Sequence, residues 1–418
     1  GASLNDVINI VSFDIFAVAD TVPASTGGTF VGAVNMSSTL TVAGTGTFTG
    51  LVDAATIDGV NFKVNGGQGS DGQVLTSTGS GVAWESVAGG PTFKTFGTGS
   101  IMVGDDATGT IDGANYNTAL GIDVFAALTS GDENTAVGYR TLNATTSGYR
   151  ATAVGYQALL SNTDGNNITA VGYQALMSNT GGGNSTAVGS HALQANTTGS
   201  GSTAMGLQSL YNNTTGADNT GLGYAALRAN TTASEITAVG NHSLYKNTTG
   251  AKNVAVGGRA MQNATTSANN TMVGHQAGYD ITTGGNNTGM GTSALENITT
   301  GIENVAVGND AGKTAITSER LVAIGYQALT ATTASGNTAV GWKSGYTITT
   351  GGSNVSVGDR SLYLNTSGAT NVSVGQMNMY NNTTGADNTS VGRQALYDNT
   401  TGSSNVAVGK SALGDNTT

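Results

Sequence analysis

A strict 17-residue period constrains what this chain can fold into more than any other feature. From Ile101 to Thr418 one short phrase recurs, clearest as Asn-Thr-Ala-Val-Gly-Tyr-Gln-Ala-Leu followed by Asn-Thr-Thr-Gly. The glycine that closes each apolar-Gly pair marks position 0 of a copy. It recurs every 17 residues from Gly104 to Gly325, once after 16 residues at Gly341, then every 17 residues to Gly409, giving 19 copies. A period held this strictly is the signature of a solenoid, in which each repeat packs only on its neighbours.

The columns define the coil. Position −3 carries a β-branched residue in all 19 copies, and position −1 is always apolar, mostly Val. Between them stands a small residue, with Met102 and Met272 as exceptions. That alternation, built from strand formers, predicts a β-strand. We expect its Val and Thr columns, for example Thr135 and Val137, to point inward. Position +4 is Leu in twelve copies, and position +10 is Gly in most coils, at the end of phrases such as Asn-Thr-Thr-Gly. The coil is therefore expected to run strand, glycine turn, short second strand, Asn/Thr/Gly turn. Its density of Gly and β-branched residues argues against helix. Stacked at about 4.8 Å per coil, the array predicts a rod of roughly 90 Å. Gly278, Gly312 and Gly345 replace Leu, and Ile281, Ile316 and Ile348 follow as substitute core residues. The missing residue before Gly341 is placed near Ser335-Gly336, in a turn.

Composition supports the same class. The chain has 65 Gly, only 2 Pro and 9% charged residues, yet its apolar columns stay in register, which disorder would not maintain. It has no Cys, so disulfide and thiol chemistry are excluded. A net charge of −11 speaks against nucleic acid or an anionic membrane as partner. No run approaches a transmembrane span. The chain opens on Gly1 without a recognisable signal peptide, which reads as a processed or trimmed amino terminus.

Ahead of the array, three segments differ in pattern. Residues 1–20 hold Val7, Ile8, Ile10, Val11, Phe13, Ile15 and Phe16, partly alternating with polar residues, and read as a docking strand. Residues 21–65 look like a stalk of short β-repeats, including Val60–Val64 ended by Gly66-Gly67. Residues 66–100 hold a predicted hairpin, Gly72–Trp84 turning at Thr78–Gly81, and the linker Gly89-Gly90-Pro91. Trp84, Phe93 and Phe96 are candidates to cap the first coils of the array at 101–418.

Two resemblances rest on these residues. Gly72–Trp84, reading Gly-Gln-Val-Leu-Thr-Ser-Thr-Gly-Ser-Gly-Val-Ala-Trp, resembles the hairpin module of bacteriophage tail-fibre stalks, and Thr39–Val52 resembles the small Thr/Gly-rich repeats of the same proteins. The array, best at Ser404–Leu413, is similar to the head repeat of trimeric autotransporter adhesins. Those heads are parallel β-rolls with a shorter repeat, three chains to a rod. The resemblance implies an all-β parallel β-roll or solenoid, a homotrimer, and a location outside the cell or on a virion.

Chemistry is sparse. His191 and His242 share a column three coils apart, about 14 Å, too far to share a metal or a proton. No nucleophile–base set and no carboxylate pair can be assembled, so we expect no enzyme, no cofactor and no metal site. Asp105, Asp106, Asp112, Asp218 and Asp387 read as solvated turn carboxylates. Tyr139, Tyr156 and Tyr173 follow successive glycines, and Tyr363, Tyr380 and Tyr397 recur at position +5. These outward tyrosines are the candidate contacts for host glycans; the plainer alternative is that Tyr packs well on its own ladder. Asn196, Asn213, Asn230 and Asn247 match the glycan acceptor pattern, but crowding favours hydrogen-bonded Asn and Thr ladders.

The expected function is that of a structural fibre protein, a rigid extracellular rod of phage tail-fibre type for host attachment. The alternative is a bacterial surface adhesin or the repeating subunit of an extracellular filament. Expected partners are further copies of the chain, as a homotrimer or a head-to-tail polymer, and a virion or cell-surface attachment protein. In the polymer, the segment Val7–Val18 would cover the last coil of the next subunit, where the chain stops at Asn416-Thr417-Thr418.

Overall fold

The structure, a computed structural model, describes residues 63–64, 67–68, 73–77, 82–86, 92–96, 98–104 and 113–417. The chain divides into two units, Gly1–Glu85 and Ser86–Thr418. The docking residues Val7, Ile8, Ile10, Val11, Phe13, Ile15 and Phe16, and the turn aspartates Asp105, Asp106 and Asp112, lie outside the described residues.

Two short pairings precede the array. β1 (Lys63–Val64) pairs antiparallel with β2 (Gly67–Gln68), so Gly67 is not a strand terminator but the partner of Val64. β3 (Gln73–Ser77) pairs with β4 (Val82–Ser86), as the predicted hairpin requires.

The array is a parallel β-solenoid. After β5 (Thr92–Phe96), each copy contributes one strand, from β6 (Ser100–Gly104) to β24 (Val406–Val408). Each strand pairs in parallel with the next, column on column, as in Thr169↔Thr186, Ala170↔Ala187 and Val171↔Val188. At the amino side β5 pairs antiparallel with β6, Phe93 opposite Val103, and so covers the first strand edge through its backbone. The one 16-residue step joins β19 (Val322–Ile324) to β20 (Thr338–Val340) without loss of register. Thr333 and Asn337 keep their usual bonds to Thr349 and Gly351, so the shortening falls at Ala334-Ser335.

The strand faces the opposite way from the sequence expectation. In Thr135-Ala136-Val137 the alanine is buried and the flanking residues are partly exposed, and the pattern repeats along the array. Thr135 and Val137 therefore point outward, as do their columns. The reason is room. The buried Leu column at +4, from Leu142 to Leu396, reaches the strand from across the coil. At Gly221, in the inward strand column, an added Cβ would stand 2.6 Å from Ser209 Oγ and 3.3 Å from Leu210 Cγ. An interior this narrow admits Ala, Gly or Ser beside Leu and sends the branched residues outside. Each fully buried Leu contributes about 1.5–3 kcal/mol.

The expected second strand is also absent. Positions +1 to +6 form turns, with left-handed residues at +2 and +4, such as Gln174 (φ 53°) and Leu176 (φ 51°). A third left-handed position falls at +12, as at Asn184 (φ 55°). Among the described residues no β-branched residue occupies +2 or +4, as sterics require, and Thr370 is the exception at +12. These corners still stack: Leu176 N donates to Ala192 O at 3.0 Å and Thr180 N to Thr197 O at 2.9 Å. No helix occurs among the described residues.

The invariant glycine is fixed by the neighbouring coil. Gly172 has φ +137°, and an added Cβ would lie 2.5 Å from Gly189 O and 2.6 Å from Gly189 C. The other glycine column behaves as expected at two of three sites. At Gly278 and Gly345 the space of the missing Leu is taken by the buried Ile281 and Ile348, whose Cδ1 atoms would meet an added Cβ at 2.9 and 3.0 Å. At Gly312 the expectation fails: Ile316 is exposed, and Leu295 Cδ2, 3.0 Å from the same point, fills the space from the preceding coil.

Candidate functional site

Two buried side-chain ladders hold the coils in place and bear on what the surface offers. At +7, Asn179 Nδ2 donates to Asn162 Oδ1 at 2.8 Å and to Gly182 O at 2.9 Å. The same bond repeats from Asn196 to Asn179 up to Asn247, and again from Asn382 to Asn365 and Asn399 to Asn382. Thr hydroxyls at +8 reach the next coil's carbonyl, as Thr180 Oγ1 to Thr197 O at 3.1 Å. Asn196, Asn213, Asn230 and Asn247 are wholly buried, so the folded array leaves no access for glycan transfer to them. The second ladder, at −4, escaped the sequence reading. There Asn287 Oδ1 accepts from the backbone N of Asn304 at 3.0 Å, and Asn304 Nδ2 donates to Ser318 O at 2.8 Å. Its signal was the Asn that begins most Asn-Thr-Ala-Val-Gly phrases.

The tyrosines of the sequence analysis do come together. Tyr139, Tyr156 and Tyr173 stack at centroid spacings of 5.4 and 5.2 Å. His191 packs beyond Tyr173 at 5.0 Å, its ring tilted by 58°. Tyr363, Tyr380 and Tyr397 stack at 5.0 and 5.4 Å, and Tyr346 joins them at 5.3 Å from Tyr363. The first set is exposed and the second half-buried. Within each stack the ring faces lie on one another, so a sugar would meet ring edges and hydroxyls except at the ends.

The histidines do not converge. His191 Nδ1 lies 2.8 Å from Ser190 Oγ, and His242 contacts Asn241 Oδ1 through its own Nδ1. His242 packs against Tyr224 and Tyr245. Burial, aided by the nearby Arg259 charge, lowers its pKa below the ordinary value of 6.5. Asp387 accepts a hydrogen bond from Thr370 Oγ1 at 2.7 Å, a turn contact rather than a ligand set. Among the described residues no group of three His, Cys, Asp or Glu side chains could hold a metal.

Two surface features remain. The outward columns at −3 and −1 run the length of the ladder, Thr or Val beside Val, Met, Leu or Ile; Met205 is 45% exposed. A second, local feature was missed by the sequence reading. Trp342 stacks near-parallel to Tyr326 at 6.4 Å, with Lys343 Nζ 4.7 Å and Arg360 Cζ 5.4 Å from its ring centroid. Its signal was the only tryptophan of the array, followed directly by Lys.

Fold and surface together define the molecule as a β-solenoid repeat protein of 17-residue coils. No family model, no curated protein and no solved structure matches the chain. No helix among the described residues is long and apolar enough to cross a membrane.

Proposed function

We propose that this chain is a structural fibre protein, a rigid extracellular rod of the phage tail-fibre type, built as a homotrimer and used for attachment to a host surface. The observation that carries the reading is the outward stripe on an unbroken ladder. The −3 and −1 columns present β-branched and apolar side chains on every coil, and a contiguous apolar stripe of this length marks an interaction surface. A partner must match its repeat of about 4.8 Å along the whole rod. A second and third copy of the same chain do so without further design.

A non-catalytic role accords with the scatter of the titratable groups and with side chains committed to the coil-to-coil ladders. The amino-terminal segment is assigned to docking on a virion or cell-surface protein. Sedimentation equilibrium tests the assembly: three times the chain mass of 41.4 kDa is expected. Replacing Val171, Val188 and Val239 with Lys should release monomers with the same β-rich circular dichroism. A wild-type monomer at micromolar concentration would end the trimer reading. Long polymers in micrographs that vanish when residues 1–20 are deleted would favour the filament instead.

A further inference from the structure

We propose that the cluster around Trp342 is a binding site for a sugar chain bearing carboxylates. It differs from the tyrosine stacks in three respects. First, Trp342 and Tyr326 are nearly parallel, 10° apart, but their centroids are 6.4 Å apart, against 5.0–5.4 Å within the stacks of tyrosines. With coils about 4.8 Å apart, the two rings are slipped sideways by about 4 Å, which leaves part of each face open. Trp342 is 43% exposed and Tyr326 45%. Second, the slip falls at the one 16-residue step of the array, so it marks a single place on an otherwise uniform rod.

Third, the cluster is cationic on an acidic protein. Lys343 Nζ lies 4.7 Å from the Trp342 centroid and 5.1 Å from that of Tyr346, a cation held between two rings. No carboxylate among the described residues lies within ion-pair distance of it. Arg360 lies over Trp342 and is steadied by Asp359, whose Oδ1 accepts from its Nε at 2.8 Å. The exposed part of the indole suits the C–H face of a pyranose ring. An unpaired ammonium beside it suits a carboxylate on the same or the next sugar. The net charge of −11 repels acidic polymers elsewhere on the chain, so such binding depends on this local charge.

The test uses the full chain carrying Trp84→Phe, so that Trp342 is the only tryptophan. Tetragalacturonate should change its emission saturably, with an affinity that falls as salt rises, while cellotetraose at equal concentration should do so at least about tenfold more weakly. Lys343→Gln should weaken tetragalacturonate binding by about tenfold. Trp342→Ala should abolish retention on immobilised polygalacturonate, with circular dichroism unchanged. Lys252→Gln, an exposed lysine far along the array, should bind as the parent does. No saturable change, equal response to cellotetraose, or undiminished binding by Lys343→Gln would each overturn the proposal. Sedimentation of the same samples reports separately on assembly.

Discussion

The coils before and after Gly341 share a backbone but differ inside. From Met102 to Ile348 the core is one continuous apolar cluster, chiefly Ala and Leu; the next cluster begins only at Leu362. From Ser344 to Ser390 the inward columns turn to hydroxyls. Ser344 Oγ donates to Ser356 O at 2.9 Å, and Ser356 Oγ to Ser361 O at 2.8 Å. Ser361 Oγ donates to Ser373 O at 3.0 Å, and Ser373 Oγ to Asn378 Oδ1 at 2.8 Å. Ser390 Oγ ends this run without a partner. Ser differs from Ala by one oxygen, and the narrow coil accepts either, in most cases with that oxygen bonded to a carbonyl or amide. The backbone ladder and the glycine column are the constant part; the filling is negotiable.

The comparison can be broken most sharply at the shared part. Gly240→Ala and Gly375→Ala should be equally damaging, each beyond about 4 kcal/mol, since both combine a left-handed φ with a Cβ 2.6 Å from the next glycine's carbonyl carbon. Hydrogen exchange in the surrounding coils is the suitable measurement, because long arrays need not unfold in one step. A mild effect at either site would show that the coils can move apart, and the shared-backbone account would fail.

Next in size is Leu193→Ala in the apolar region, expected to cost about 2–5 kcal/mol in local exchange stability. In the hydroxyl region, Ser356→Ala should cost about 1 kcal/mol, because it strands the Ser344 hydroxyl from one of its two contacts. Adding Ser344→Ala should cost less than the two single effects summed, since the pair then repeats the alanines of the preceding coils. Costs that simply add would mean that the hydroxyls act independently.

The smallest effect concerns pH. Neither core contains a titrating side chain, so the two regions should respond alike. His242 is the exception on the surface of the apolar-cored region. Its folded pKa lies below 6.5, so the unfolded chain takes up the proton first as pH falls. Stability should therefore decline as pH drops from about 6.5 toward the lowered folded value, then level off. His242→Gln should flatten that decline in a thermal-shift series from pH 8 to 4.5, as carboxylate effects stay common to both proteins.

Much of this was legible in the sequence because a period is a geometric statement. The 17-residue spacing dictated stacking, the Leu column declared itself core, and the short turn at Ala334-Ser335 was placed within a residue. The facing of the strand was not legible. Alternation fixes which residues share a face, not which face is inside, and Val outranks Ala on any hydrophobicity argument. The size of the interior decides instead, and that depends on Leu reaching in from another part of the coil. The corners at +2 and +4 were missed because Gln and Leu carry no sign of a left-handed backbone. The Trp342 cluster was missed for a different reason: it exists only where three consecutive coils are superposed.

The asparagine ladders give the rod an electrical direction. Each Nδ2 at +7 reaches toward the lower-numbered coil, and each Oδ1 faces the higher-numbered one. At −4 the side-chain oxygens likewise accept from the coil that follows. The amide dipoles therefore add along the axis instead of cancelling, as peptide dipoles do in a helix. Where the first run stops, against Ala264, the last acceptor, Asn247 Oδ1, is left without a donor. A row of identical amides must leave one such oxygen at its advancing end, so lengthening the row by a coil moves the unpaired acceptor along but does not remove it.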